Sequence, residues 1–131
     1  MSRPKGEIQA EFILRLLCAS PHPMSAYDLL KQARSEGISS PIIIYRALKK
    51  LLAAGSVQRV ASQNAFVAYK DVSSNHAQSI GIAICAECGR TSEFRPPQAF
   101  AHLRADASVI AFTPNRIVVE VSGICASTHY S

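Results

Sequence analysis

The amino-acid sequence predicts an α+β fold, with an N-terminal winged helix-turn-helix followed by a small α/β domain. Three observations support this prediction. Apolar residues recur at helical spacing up to about Ala54, strand patterns begin after Gly55, and a Cys-x-x-Cys-Gly motif at residues 85–89 lies between two further strand patterns. The chain has 131 residues, of which 48% are apolar, and this suffices for one ordinary domain or two very small ones.

Two helices are predicted at the start of the chain. Residues 8–19 place apolar side chains three to four positions apart, which is the spacing of an amphipathic helix. Ser25 is a typical N-cap residue, and Asp28 stands where the carboxylate of a capping box belongs. A second helix is therefore expected over residues 26–35, ending at Gly37.

The third helix is expected to begin with Ser40 as its cap and Pro41 in its first turn, and to end near Ala54 at Gly55. Its predicted apolar face consists of Ile44, Ala47, Leu48, Leu51 and Leu52, and its polar side carries Arg46, Lys49 and Lys50. Strands are predicted at residues 56–60 and 65–69, joined by a tight turn at residues 62–64. Three helices followed by a hairpin form a winged helix-turn-helix, whose third helix enters the DNA major groove.

The charge distribution favours an anionic partner for the first half of the chain. Residues 1–68 hold nine Lys/Arg and four Asp/Glu, whereas residues 69–131 hold five of each, so all the excess positive charge lies in the first half. Nucleic acid is the first candidate. A basic surface that serves only solubility is the alternative.

The second half of the chain begins after a polar linker at residues 71–75. We expect a strand at residues 79–84, a returning strand at 90–94, a short helix from Pro96-Pro97 to about Ala107, and a hairpin of residues 109–112 and 117–121. The Cys-x-x-Cys motif lies between the first two strands. No apolar run is long enough to cross a bilayer, and the N-terminus shows no signal peptide, so a cytoplasmic protein without a membrane partner is expected.

Cys85, Cys88 and Gly89 have the spacing of a zinc knuckle, since both thiolates can bind one tetrahedral ion and glycine tolerates the tight turn. Structural zinc takes four ligands, and Cys125 and His129 lie together near the C-terminus. A thiol–disulfide active site is the alternative, although such motifs favour helix N-termini. Cys18, on the first helix, is expected to be an ordinary core thiol.

Four short motifs follow one another along the chain: Ser25-Ala26-Tyr27-Asp28-Leu29-Leu30, Tyr45-Arg46-Ala47-Leu48, Ile84-Cys85-x-x-Cys88-Gly89 and Gly123-x-Cys125. In this order they resemble the ferric uptake regulator superfamily, and within it the zinc uptake regulator branch. The resemblance implies a homodimeric, metal-responsive repressor that binds double-stranded operator DNA. Its domains would be a winged-helix DNA-binding domain at residues 1–70 and an α/β dimerisation and metal-binding domain at residues 76–131.

The resemblance also implies a structural zinc ion held by two Cys-x-x-Cys pairs. Cys85 and Cys88 match the first pair and Cys125 the first thiol of the second, but Thr128 stands where the fourth thiol is expected. His129 is the next residue, and Cys-x3-His is an accepted zinc spacing, so Cys85, Cys88, Cys125 and His129 are the predicted Zn²⁺ ligands. Alternatively, His129 is a tail residue and the site has three ligands or is lost.

The zinc branch also has a regulatory metal site, so the resemblance implies four further metal-ligand positions. His76 and Glu93 match two of these, whereas Gln58 and Tyr69 stand where His and Cys are expected. His76 and Glu93 are therefore the candidate regulatory ligands, with His102 as a further donor or an ordinary surface residue. Either other groups complete this site, or the protein does not sense metal there.

For DNA, the resemblance implies base contacts by Tyr27 and Arg46, because Arg can bind guanine O6 and N7 together. Lys49, Lys50, Arg34, Lys31 and Arg59 are candidate phosphate contacts, and an ordinary solvated helix face is the alternative for the two adjacent lysines. No catalytic constellation is visible, so neither an enzyme nor a small-molecule substrate is expected. Two alternatives remain: a divergent regulator that binds DNA without sensing metal, and a zinc-binding interaction module that does not bind DNA.

Overall fold

A computed structural model describes residues 5–69 and 79–126 of the protein. The chain divides between residues 72 and 73 into two compact units. The predicted linker, residues 71–75, lies outside the described residues. Within the described residues, no helix combines the length and the apolar character that a membrane span requires.

Three helices form most of the first unit, namely α1 (Lys5–Ala19), α2 (Ala26–Ala33) and α3 (Pro41–Ala54). Helix α1 begins earlier than its apolar pattern predicts. Helix α2 ends sooner, because its last turn tightens into a 3-10 helix, Arg34–Glu36. The glycines expected to end α2 and α3 have positive φ angles, 82° at Gly37 and 74° at Gly55, which glycine adopts at little cost.

The wing is an antiparallel hairpin of β1 (Val57–Val60) and β2 (Ala65–Ala68). A 3-10 turn over Ala61–Gln63 connects the strands, and Asn64 completes it with a φ angle of 48°. Met24, in the loop before α2, exchanges two backbone hydrogen bonds with Phe66, with N···O distances of 3.0 and 2.9 Å. The wing is thereby attached to the loop that precedes α2.

The core of the first unit lies where the three helices face each other. Ile13 of α1, Leu29 of α2, and Ile44 and Leu48 of α3 are among its most deeply buried side chains. Two expectations were wrong here. Leu52 is 41% exposed, because it lies beyond the edge of the buried face formed by the other predicted residues, and the Cys18 thiol is exposed on the outer side of α1.

The second unit contains β3 (Ile80–Cys85), β4 (Thr91–Phe94), α4 (Pro97–Val109) and β5 (Val118–Gly123). The strands form one sheet in the order β4-β3-β5, with β3 and β4 antiparallel. Ile80, Ile82 and Ile84 alternate along β3 and are all buried. Phe100 is the buried residue of α4, and β3 is buried along nearly its whole length.

The predicted hairpin of residues 109–112 and 117–121 is wrong. Val109 ends α4, the chain reverses at Ala111 with a φ angle of 58°, and one strand follows within the described residues, which end at 126. That strand, β5, pairs in parallel with β3, from Ile80 opposite Val118 to Cys85 opposite Gly123. Parallel strands need a long crossover, which β4 and α4 supply.

Candidate metal centre and nucleic-acid interface

The turn after β3 is built as a knuckle around the Cys85 sulfur. Gly89 has a φ angle of 77°, which returns the chain towards β4, and its N–H donates to the Cys85 carbonyl at 2.9 Å. The backbone N–H groups of Cys88 and Cys125 both point to Cys85 Sγ at 3.4 Å. Amide donors directed at a sulfur favour its thiolate form, which is the form that binds metal.

Cys125 reaches the knuckle because β5 ends beside the end of β3. The Ala86 N–H donates to the Gly123 carbonyl at 2.7 Å and fixes this end of β5 to the knuckle. Cys88 Sγ and Cys125 Sγ are then 3.6 Å apart. The parallel register thus joins two halves of a site that are 37 residues apart in sequence.

The sulfur atoms of Cys85, Cys88 and Cys125 all lie within 4.8 Å of one another, and Cys85 is buried while the other two are half-buried. Two thiolates on a tetrahedral zinc with bonds of about 2.3 Å are separated by about 3.8 Å. The 3.6 Å between Cys88 and Cys125 is close to this value. Three converging thiols in a partly enclosed site therefore fit Zn²⁺, with room in its coordination for a fourth ligand.

Three of the residues in the metal predictions lie outside the described residues. They are His129, Thr128 and His76. The fourth ligand of the thiol site and the first regulatory ligand therefore stay predictions. His102 lies on α4 and is exposed.

The other positions linked to regulatory metal carry contacts of their own. The Tyr69 hydroxyl donates to Gln58 Oε1 at 2.9 Å, and Gln58 Nε2 donates to the Arg59 carbonyl at 2.9 Å. Glu93 is mostly buried, and its carboxylate lies 3.7 Å from the Arg95 guanidinium. A carboxamide, a phenol and an ion-paired carboxylate are a poor donor set for zinc, which binds thiolate and imidazole more strongly.

The candidate DNA-binding surface is the outer side of α3. Ile44, Ala47, Leu48 and Leu51 face the core, whereas Arg46, Lys49 and Lys50 are exposed. The Lys50 ammonium also lies close to Gly6 of α1. The predicted division of α3 into a buried face and a basic face is therefore present, apart from Leu52.

Two further predicted DNA contacts are placed by neighbouring side chains. Tyr27, at the start of α2, is 66% exposed, and the Lys31 ammonium lies 5.6 Å from the centre of its ring. The wing residue Arg59 is exposed and donates from Nη2 to Asn64 Oδ1 at 3.0 Å. Both side chains are oriented by residues within the same unit.

Sequence reasoning named Tyr45 of α3 only as part of a family motif and gave it no role of its own, although 62% of this residue is exposed. A signal was present, because Tyr45 does not fit the spacing of the buried positions 44, 47, 48 and 51. It also missed the Tyr69–Gln58 hydrogen bond. That contact depends on the register of the hairpin, in which Gln58 pairs with Val67, and the sequence pattern predicted the hairpin but not its register.

Comparison with known proteins assigns the family. The chain is 31% identical over 116 residues to the zinc uptake regulation protein of Escherichia coli (strain K12), covering 88% of this chain and 67% of that protein. The homologous protein of Shigella flexneri matches with the same identity and coverage. The chain belongs to the ferric uptake regulator superfamily, in its zinc uptake regulator branch. No protein-family model matches the chain.

Solved structures of zinc uptake regulators have the same fold. The crystal structure of holo XcZur superposes with a TM-score of 0.83 at 32% identity, covering 94% of this chain and 85% of the other. A zinc uptake regulator complexed with zinc and DNA gives a TM-score of 0.85 at 30% identity, covering 92% and 80%. The predicted α+β fold and the family resemblance are thus confirmed. The relatives are regulators, which agrees with the expectation that the chain is not an enzyme.

Proposed function

We propose that this protein is a zinc-responsive transcriptional repressor that binds operator DNA as a homodimer. The observation that carries the proposal is the two-faced α3, with an apolar side in the core of a winged helix and an exposed side bearing Arg46, Lys49 and Lys50. An exposed basic helix in this position fits the major groove. The relative solved with zinc and DNA supports the same function.

DNA binding would use residues of two kinds. Arg46 and Tyr27 would contact bases, and a bidentate contact from Arg46 to guanine would supply most of the sequence preference. Lys49, Lys50 and Arg59 would contact phosphates, which position the protein without reading sequence. The hydrogen bond from Arg59 to Asn64 holds the guanidinium at the wing, where it would be available to a phosphate of the duplex.

Zinc would be held by Cys85, Cys88 and Cys125, with His129 as the proposed fourth ligand. When bound, zinc would cross-link the knuckle to the end of β5, and structural zinc sites typically contribute about 10–16 kcal/mol of apparent binding energy. The backbone N–H groups of Cys88 and Cys125 support the Cys85 thiolate at the centre of this site. A second, regulatory metal at His76 and Glu93 stays a prediction.

Dimerisation would use the second unit, which exposes a large apolar surface. Val109, at the end of α4, is 84% exposed, and Ile110, Phe112, Val121 and Ile124 are exposed as well. Strand β5 lies at the edge of the three-stranded sheet. Exposed apolar side chains beside a sheet edge are typical of an interface, and a second copy of the chain would cover them.

The proposal is tested by titrating fluorescent fragments of the host genome with the protein, in zinc and in chelator. Specific binding that overlaps a promoter and requires zinc would support repression, and zinc should then lower transcription from that promoter. Binding that is equally tight in chelator would replace the proposal with a regulator that does not sense metal. Absence of binding in either condition would leave only a zinc-binding interaction module.

The dimer is tested separately by sedimentation equilibrium of the zinc-loaded protein. We expect twice the mass of 14.1 kDa. A Val121→Lys substitution at the exposed β5 surface should shift the protein to monomer, because a buried unpaired charge opposes association. A monomeric wild-type protein at micromolar concentration would contradict this part of the proposal.

A further inference from the structure

A pocket opens in the second unit beside the start of β3. It has a volume of about 270 Å³ and is lined by Ser79, Arg95, Pro97, Phe100 and Arg104. Ser79 directly precedes β3, Arg95 directly follows β4, and the other three residues belong to α4. The fold thus brings two arginines and a serine from three segments of the chain to one recess.

Ser79 is a buried polar residue, only 6% exposed, whose hydroxyl hydrogen has no acceptor within the described residues. Its Oγ accepts two hydrogen bonds, from the Ile117 N–H at 2.9 Å and from Arg104 Nη2 at 3.0 Å. A hydroxyl group has two acceptor lone pairs and one hydrogen to donate, so both lone pairs are used and only the O–H is left. A buried donor without an acceptor is costly. Because Ser79 lines the pocket, an acceptor bound there would complete its hydrogen bonding.

The charged groups around the pocket favour an anion. One N–H of the Arg104 guanidinium serves Ser79, and no carboxylate pairs with Arg104 in the part of the chain that the structure describes. Arg95 is the second cation, and its Nη2 lies 3.7 Å from Glu93 Oε2. Two positive charges thus face one negative charge. The polar side chains that line the pocket can offer only hydrogens to a ligand, so the ligand must supply lone pairs.

We propose that this pocket binds a small organic oxyanion, whose phosphate or carboxylate head accepts hydrogen bonds from Ser79, Arg95 and Arg104. Guanidinium groups match such heads with a planar and often bidentate geometry. Pro97 and Phe100 contact the apolar part of the ligand. The volume is many times the roughly 30 Å³ of one water molecule and just below the size of sites for drug-sized ligands, which suits a small metabolite. Neither DNA nor the thiol-bound zinc takes part in this site.

Nuclear magnetic resonance of the isotope-labelled, zinc-loaded full chain tests this directly, because the Nε–H group of each arginine gives its own signal. Sodium phosphate and sodium acetate are titrated separately as the two kinds of head group, and sodium chloride at matched ionic strength is the control. We expect the signals of Arg95, Arg104 and the Ile117 backbone amide to shift and saturate at millimolar anion in at least one of the two titrations, and not in chloride. Saturation with phosphate alone, or with acetate alone, identifies the head group.

Variants assign the effect to the pocket. Arg104→Gln should weaken binding by about fivefold, the upper range for ion pairs that water can reach, and Ser79→Ala should weaken it as well. The matched control Arg90→Gln, which removes an exposed arginine outside the pocket, should bind like the wild type. Arg104→Lys keeps the charge without the planar fork, so its affinity should lie between those of Arg104→Gln and the wild type. Circular dichroism checks folding, and Arg104→Lys replaces Arg104→Gln if that variant does not fold.

Two results would overturn this site. One is the absence of saturable shifts at Arg95 and Arg104 with both anions, and the other is wild-type affinity in the Arg104 variants. Shifts confined to residues 46, 49 and 50 would place the anion on the basic face of α3. They would likewise exclude the pocket, while leaving the proposed DNA binding intact.

Discussion

At the scale of single residues, the start of α2 shows how two side chains determine where a helix begins. The Asp28 N–H donates to Ser25 Oγ at 3.0 Å, and the Ser25 N–H donates to Asp28 Oδ2 at 3.2 Å. Both ends of the capping box are present, so two otherwise unsatisfied N–H groups are paired. Ser40 has the same position before α3, but its side chain forms no capping hydrogen bond.

This difference predicts different effects for two similar substitutions. Ser25→Ala should lower the free energy of unfolding by about 1 kcal/mol, because it removes a capping hydrogen bond. Ser40→Ala should change it by less than about 0.5 kcal/mol, as a substitution away from such contacts does. Urea denaturation followed by circular dichroism measures both. Equal losses in the two variants would contradict the assigned roles.

Gly81 in β3 is required by packing, since a Cβ built there would lie 2.6 Å from the Phe94 ring on the adjacent strand. Gly81→Ala should therefore displace that ring and destabilise the second unit by about 1–3 kcal/mol. Gly123→Ala is the matched control, because a Cβ there meets nothing within 4 Å. Thermal unfolding should show a lower midpoint for the first variant and a similar midpoint for the second. An unchanged midpoint in Gly81→Ala would mean that Phe94 rotates away at no cost.

At the scale of elements, helix α3 and strand β5 have different roles. Helix α3 serves packing and, in the proposed function, DNA recognition as well, because its 3.6-residue period separates the buried Ile44 and Leu48 from the exposed Arg46 and Lys49. Strand β5 serves the metal centre, because its parallel register with β3 delivers Cys125 to Cys85. The first property is local to one helix, and the second depends on a pairing across the sheet.

The two kinds of basic residue on α3 should be separable by experiment. Arg46→Ala should reduce the preference for an operator selected with the wild-type protein over random duplex by about 5- to 150-fold for each subunit of the dimer, the equivalent of about 1–3 kcal/mol for one bidentate base contact. Lys49→Ala should weaken binding to both duplexes alike and lower the slope of log affinity against log salt by about 0.9 for each subunit. Anisotropy titrations at several salt concentrations measure both. Full sequence preference in Arg46→Ala would remove this residue from base recognition.

At the scale of the whole molecule, the chain separates its two chemistries. The excess positive charge of +5 lies in residues 1–68, with the winged helix, whereas the three clustered thiols lie in the second unit. Each unit has its own buried residues, so loss of metal in the second need not unfold the first.

Zinc removal should therefore act on one unit. We expect a strong chelator to increase hydrogen exchange around residues 85–90 and 118–125, because the knuckle loses its cross-link to β5, while residues 5–69 keep their protection. Native mass spectrometry should show zinc lost from Cys88→Ser and retained in the matched control Cys18→Ser, whose thiol is exposed and outside the cluster. A zinc-free wild-type protein with unchanged exchange would refute the metal centre.

The sequence by itself determined the features that depend on neighbours along the chain. The capping box at Ser25, the glycines that end the 3-10 turn after α2 and helix α3, the basic face of α3 and the knuckle at Cys85 are all encoded within a few residues. Helical period, cap chemistry and thiol spacing are local properties, so they could be predicted. The same patterns carry the family resemblance.

Only the tertiary structure decided the features that join distant segments. Residues 109–112 and 117–121 both have strand-like composition. The first segment nevertheless lies at the end of a helix, and the second pairs in parallel with β3 rather than with its neighbour in sequence. The pocket between Ser79 and Arg104 and the exposure of Cys18 have the same origin. Which surface is buried depends on what packs against it, and the free energy of that packing comes from contacts between residues far apart in sequence.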